Sequence, residues 1–143
     1  MATTDLATIL AAWPALLEAA PLSLTPTIVA FTHDAQPNDT LPDSYYLTDE
    51  GQVDRKSVTH DVEVRIDRIG VWIAKPLNFA GAAQLIALSA ILDDLYRQLV
   101  VLGRAAGYNV EADTRRITHP PNTELLIASQ VLRVDYDFSS ATT

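Results

Sequence analysis

Three histidines, His33, His60 and His119, are the side chains best suited to proton transfer or metal ligation near neutral pH. They stand far apart, and neither an HxH nor an HExxH spacing occurs, so no metal centre is expected. His60 lies in an alternating apolar run and reads as a core or strand-end histidine, not as a ligand or base. Asp93 and Asp94 are adjacent. Neighbours on a helix point about 100 degrees apart, which makes them poor partners for shared acid and base work. The glycines are scattered, and the Gly103 and Gly107 pair follows a helical pattern where a phosphate cradle would lead into one. No Gly-x-Ser-x-Gly elbow occurs. The chain has no cysteine, which removes thiolate ligands, Cys nucleophiles and disulfides together. No catalytic, cofactor-binding or metal-binding residue is therefore assigned. A triad of distant residues stays open. So does a small enzyme or ligand-binding domain that uses His60 or His119 in a pocket between sheet and helices.

The elements that would position such groups belong to one domain, since the chain has 143 residues. Hydrophobic residues make up 48% and the mean hydropathy is +0.10, enough apolar material for a real core and too much for wholesale disorder. The formal charge is −8 and the isoelectric point near 4.6, which repels a phosphate backbone and argues against sequence-specific nucleic-acid readout. The first apolar stretch, Leu6 to Leu17, follows Asp5 and contains Trp13 and Pro14, unlike a secretory leader. Asp93, Asp94, Arg97 and Gln98 interrupt the longest candidate for a membrane span. The expectation is a soluble protein made in a cytoplasm.

Thr4 and Asp5 offer cap oxygens to a helix over Asp5 to Ala19, whose Leu6, Ile9, Leu10, Trp13, Leu16 and Leu17 share one face. Pro14 should kink or restart it. A strand is expected within Leu22 to Phe31, where Pro26 favours an edge strand or the strand's beginning. The acidic segment from Thr32 to Ser57 reads as a long loop. From Val58 to Asp67 the residues alternate, with Val58, His60, Val62, Val64 and Ile66 predicted to face the core, and Gly70 then marks a bulge or turn. A helix capped by Asn78 and ended by Gly103 or Gly107 carries the ridge Leu85, Leu88, Leu92, Leu95, Leu99 and Leu102, with Asp93 pairing Arg97. A charged strand over Val110 to Ile117 and a last strand over Glu124 to Phe138 complete the fold, before a frayed tail at 139 to 143. The class is α+β: a small, mostly antiparallel or mixed sheet of about four strands, two helices packed on one face and a long inserted loop.

With no chemistry assigned, the candidate site is a set of contact surfaces. Tyr45, Tyr46 and Leu47 form an apolar knot in the loop, which either fastens it to its own domain or packs on a neighbouring subunit. Deleting residues 37 to 51 is expected to spare the fold. Arg55, Lys56, Arg115 and Arg116 are the local basic concentrations, either plain surface charge or a match for acidic surface on another copy. Leu125 and Ile127 lie on the outer side of the last strand, whose first half is apolar on both faces. That suggests a central strand, or one covered from beyond its own domain.

Several features stand together: an N-terminal helix with Trp13 and Pro14, the His60-x-Val62-x-Val64-x-Ile66 strand after a long loop, and an alanine-rich helix containing Leu92-Asp93-Asp94-Leu95. A charged strand with Arg115 and Arg116 and the closing Leu132-Arg133-Val134-Asp135-Tyr136 follow. In this order the chain resembles the tail terminator, or tail completion, proteins of long-tailed bacteriophages, over most of its length. The aspartate-rich 34 to 50 segment departs from the compact form. The resemblance implies a non-enzymatic virion protein without a cofactor, assembled in the host cytoplasm. It would form a ring of identical subunits, commonly a hexamer, at the head-proximal end of the tail tube. Its partners would be copies of itself, the tail tube protein and the head connector, with DNA passing through unread and no membrane involved. A neck or head-to-tail adaptor of similar size is the near alternative.

Overall fold

The computed structural model describes residues 3–26, 42–78, 81–121 and 123–141. The N-terminal helix is broken as Pro14 demands. α1 spans Leu6–Ala11, its first turn capped by the Asp5 carboxylate accepting from the Thr8 amide at 2.7 Å, and α2 spans Trp13–Glu18 with Pro14 in its first turn. The strands are β1 (Thr25–Pro26), β2 (Ser44–Ser57), β3 (Val62–Pro76), β4 (Asn109–Thr118) and β5 (Leu125–Ser139), with α3 (Ala82–Ala106) between β3 and β4. They form one mixed sheet in the order β1-β2-β3-β5-β4, in which only the β1 and β2 pairing is parallel. The α+β reading holds, with five strands where about four were expected. Of the predicted edge strand, Thr25 and Pro26 do lie at the sheet edge, and Thr27 to Phe31 fall outside the described residues.

One layer of helix covers one face of this sheet. Ile9, Trp13 and Leu17 from the broken helix meet Leu92, Leu95 and Leu99 from α3 over Ile69, Val71, Ile73, Leu132 and Val134. Trp13 is 0% exposed, and its Nε1 donates to Tyr108 Oη at 3.2 Å, joining the first helix to the start of β4. Gly103 makes this approach possible: a Cβ there would stand 2.7 Å from the backbone oxygen of Tyr108. The helix ends four residues later, where Gly107 adopts φ 90°, a left-handed turn that costs glycine little. At its start the cap position is Gly81 rather than Asn78, and Gln84 ties the turn by donating to Pro76 O at 2.7 Å. Of the expected ridge, Leu88, Leu92, Leu95 and Leu99 are buried, whereas Leu85 is exposed.

Three expectations are corrected. The long loop does not reach Ser57, because residues 44 to 57 are β2; those from 32 to 41 lie outside the described residues. Tyr45 and Leu47 stand opposite Ile73 and Val71 in the core, so deleting 37 to 51 would remove part of the fold. Second, β3 starts at Val62, and its faces are reversed from the prediction. The β3 and β5 register runs unbroken from Val62 opposite Ser139 to Pro76 opposite Leu125. Period two therefore puts Glu63, Arg65 and Asp67 on the helix side with Ile69, Val71 and Ile73, and Val62, Val64 and Ile66 on the far side. Gly70 is no bulge; the irregularities are in β2 around Gln52 and in β4 between Ala112 and Arg115. Third, Ser139 ends β5 and the Ser140 amide donates to Asp61 O at 2.9 Å, so the tail is anchored at least that far.

Candidate functional site

The polar groups brought under the helices are engaged with one another. Tyr136 Oη donates to Asp67 Oδ2 at 2.6 Å, both side chains buried. Arg65 lies beside them, 3.0 Å from Glu63 and with its guanidinium 3.5 Å from the centre of the Phe138 ring. Burial and the Asp67 carboxylate both push the Tyr136 phenol far above its ordinary value, so it stays a donor. Arg115 is equally committed: it donates to Asp93 at 2.6 Å and to Gln130 at 3.0 Å, locking β4 and β5 to α3. That ion pair holds the Asp93 carboxyl below the usual range. The expected Asp93 and Arg97 hydrogen bond is replaced by Arg97 donating to Asp94 at 2.7 Å, three residues apart.

The far face of the sheet carries an aromatic plate at the end near α3's start. Tyr46 stacks on Trp72 with ring centres 5.5 Å apart and planes 5° from parallel. The Trp72 indole donates to Thr48 at 2.9 Å, and Thr48 donates to Glu50 at 2.8 Å. This chain folds over Gly70, where a Cβ would lie 2.9 Å from the indole nitrogen. Burial beside Glu50 pushes the Tyr46 phenol up to about 12. Leu125 and Ile127 pack here with Ala74 against Trp72, each 8% exposed. Of the two readings given for them the central strand is the one found: β5 lies between β3 and β4, and both residues are covered within the chain. Tyr45 and Leu47 are likewise fastened to their own domain, in the core, the first of the two readings given for them, and Arg115, though exposed, is held by bonds within the chain.

Arg55, Lys56, Arg115 and Arg116 are all on the surface. Arg55 and Lys56 belong to an exposed arm made by the second half of β2 and the turn that follows it; every residue from Gly51 to Asp61 is exposed, with Val53 and Val58 among them. His60 sits at its tip, 99% exposed as a side chain, outside the strand it was assigned to. His119 is in the turn after β4, where Nε2 lies 2.7 Å from Thr123 O. It borders a 420 Å³ groove that Leu77, Leu85, Ile117 and Leu126 also line. The two histidines are therefore at opposite ends of the sheet. Among the described residues no three His, Asp or Glu side chains approach closely enough to hold a metal ion, and no helix is long and apolar enough to cross a membrane.

One carboxylate on the far face is poorly served. Asp135 Oδ1 is buried without a hydrogen-bond partner among the described residues. Burial and the nearby Glu111 raise its pKa above 3.8, against the pull of Arg133. A raised carboxyl pKa means the folded chain holds that proton more tightly than the unfolded one, so this group lowers stability as pH rises from 3.8 through its folded value. Asp135→Asn is expected to raise Tm at neutral pH by roughly 2 °C, with the gain vanishing below about pH 4. Calorimetry of the two proteins across that range checks both halves.

No family model matches this chain, and no curated protein matches it.

Proposed function

We propose that this chain is a structural subunit of a long-tailed bacteriophage virion, a tail terminator that closes with copies of itself into a ring, a hexamer by the resemblance above. The ring caps the head-proximal end of the tail tube and offers a surface to the head connector. The observation that carries this reading is the arm from Gly51 to Asp61. Its strand half pairs with β3, which pairs in turn with β5, so this stretch is the edge and turn of a three-stranded part of the sheet with its own side chains in water. Val53, Val58, Arg55 and Lys56 give it apolar and basic contact groups, as a part that reaches a neighbouring molecule requires. A ring needs two different patches of one subunit that complement each other, and the exposed arm is the candidate for one of them. A formal charge of −8 per subunit also suits a channel through which DNA slides without being held.

Native mass spectrometry of the purified chain, followed by negative-stain imaging with isolated tail tubes, tests this. Ring-sized species that decorate one end of the tube are expected. A protein that stays monomeric and leaves tube ends bare overturns the reading, and one that binds the head connector before any tube would make it a neck adaptor.

A further inference from the structure

Five large apolar side chains are exposed among the described residues: Val53, Val58, Leu85, Ile86 and Val101. One alone needs no account, since much of any protein surface is apolar. Four of these five, however, fall as pairs in two places. Val53 and Val58 flank Arg55 and Lys56 in the arm, and Leu85 and Ile86 are adjacent in the first turns of α3.

Leu85 is also a wall of the 420 Å³ groove that Leu77, Ile117 and Leu126 line. Those residues come from the end of β3, the end of β4 and the start of β5, so the groove and the arm sit at opposite ends of the sheet. The 15 residues of β3 lie between them, a span of about 45 Å. An arm this far away cannot fill the groove of its own chain. The charges also fit. No lysine or arginine lines this groove, and the exposed Glu124 stands two residues ahead of Leu126, its carbonyl accepting from the Leu77 amide at 2.8 Å. Two other grooves each have a cation in the wall, Lys75 in one and Arg97 in the other. A segment that carries two valines and two cations is therefore matched best at the groove beside Glu124.

We propose that the arm of one copy docks in this groove of the next, with Val58 against Leu85 and with Arg55 and Lys56 toward Glu124. The contact joins two unlike patches, so it repeats from subunit to subunit and can close. One side chain in one groove is a small hold. In a closed ring every subunit is held at both ends, and the last contact forms at high effective concentration. Exposed ion pairs add little affinity, so the charges select the groove while the apolar groups hold the arm in it. The inference rests on the self-associating ring proposed above and names its contact.

The absence of cysteine makes the test clean. Val58→Cys and Leu85→Cys are placed in one chain, and each is also made singly. All three proteins are mildly oxidised and run on a denaturing gel without reductant. Within one chain the two positions are far beyond a disulfide's reach. The double variant is expected to give a ladder that rises past the dimer and stops at the subunit number of the ring, while each single variant stays monomeric on the gel. Leu85→Asp should lose the ring-sized species in native mass spectrometry with Tm unchanged. Dimers from a single variant, rings without a ladder, or rings that survive Leu85→Asp overturn this contact and leave the ring reading standing. A strictly monomeric chain overturns both, and a ladder from a protein that never caps a tube sustains the contact while the tail role falls.

Discussion

Trp13→Ala is expected to cost about 3–5 kcal/mol of folding stability, the range for deleting a large buried aromatic side chain. Two effects add. The indole is fully buried between α3 and the sheet, so its loss leaves a void that the leucines around it cannot fill without moving. Its Nε1 also partners the buried Tyr108 hydroxyl, which would be stripped of that bond. With total stability of about 5–15 kcal/mol for such a domain, the change removes a large share of it. It would appear as a fall in Tm of about 10–15 °C. Trp13→Phe retains most of the volume without the donor and should lose roughly a third as much. Equal losses in the two variants, measured by urea titration with circular dichroism, would mean that the hydrogen bond outweighs the packing.

Tyr136→Phe is the second large effect. The hydroxyl donates to a carboxylate that is 5% exposed, and its removal leaves the Asp67 charge short of a donor beneath the helix layer. A cost of about 2–3 kcal/mol is expected, more than a neutral hydrogen bond would carry, because the abandoned partner is charged. Asp67→Asn combined with Tyr136→Phe removes that charge and should recover part of the loss. The double-mutant cycle therefore gives a coupling of about 1 kcal/mol or more. Additive losses would show that Asp67 is satisfied by other donors.

Local patterns disclosed the helices well. Pro14 and the spacing of Ile9, Trp13 and Leu17 foretold a restarted helix, and the leucine ridge foretold α3, because both depend on neighbours within a turn or two. The face of β3 was harder. Val62, Val64 and Ile66 form the better alternating pattern in isolation, yet Ile69, Val71 and Ile73 decide the matter through an unbroken register with β5. The signal that could have found it is the parity of the whole 62 to 76 run, in place of its first half. β2 escaped notice because an arm wetted on both faces has no period-two pattern, although Tyr45 and Leu47 at its root do alternate. Of the contact residues, Arg55, Lys56 and Arg116 lie on the surface as expected. Arg115 is on the surface as well, tied there to Asp93 of α3, and Leu125 and Ile127 lie on the outer side of a central strand, one of the two readings their pattern allowed, where Ala74 and Trp72 of β3 cover them.

The adjacency of β3 and β5 bears on how the protein is made. These two strands are the middle of the sheet, but α3 and β4 come between them in the order of synthesis. A ribosome that has released everything up to Thr118 has produced β3 and β4, and both still lack β5, the strand that stands between them. Ile69, Val71 and Ile73 must wait, wet and sticky, for the last strand to emerge. Slow non-local closure of this kind exposes nascent chains to aggregation, so premature stop codons near the 3′ end should yield insoluble product, where loss of a dispensable terminus would yield a shortened soluble one.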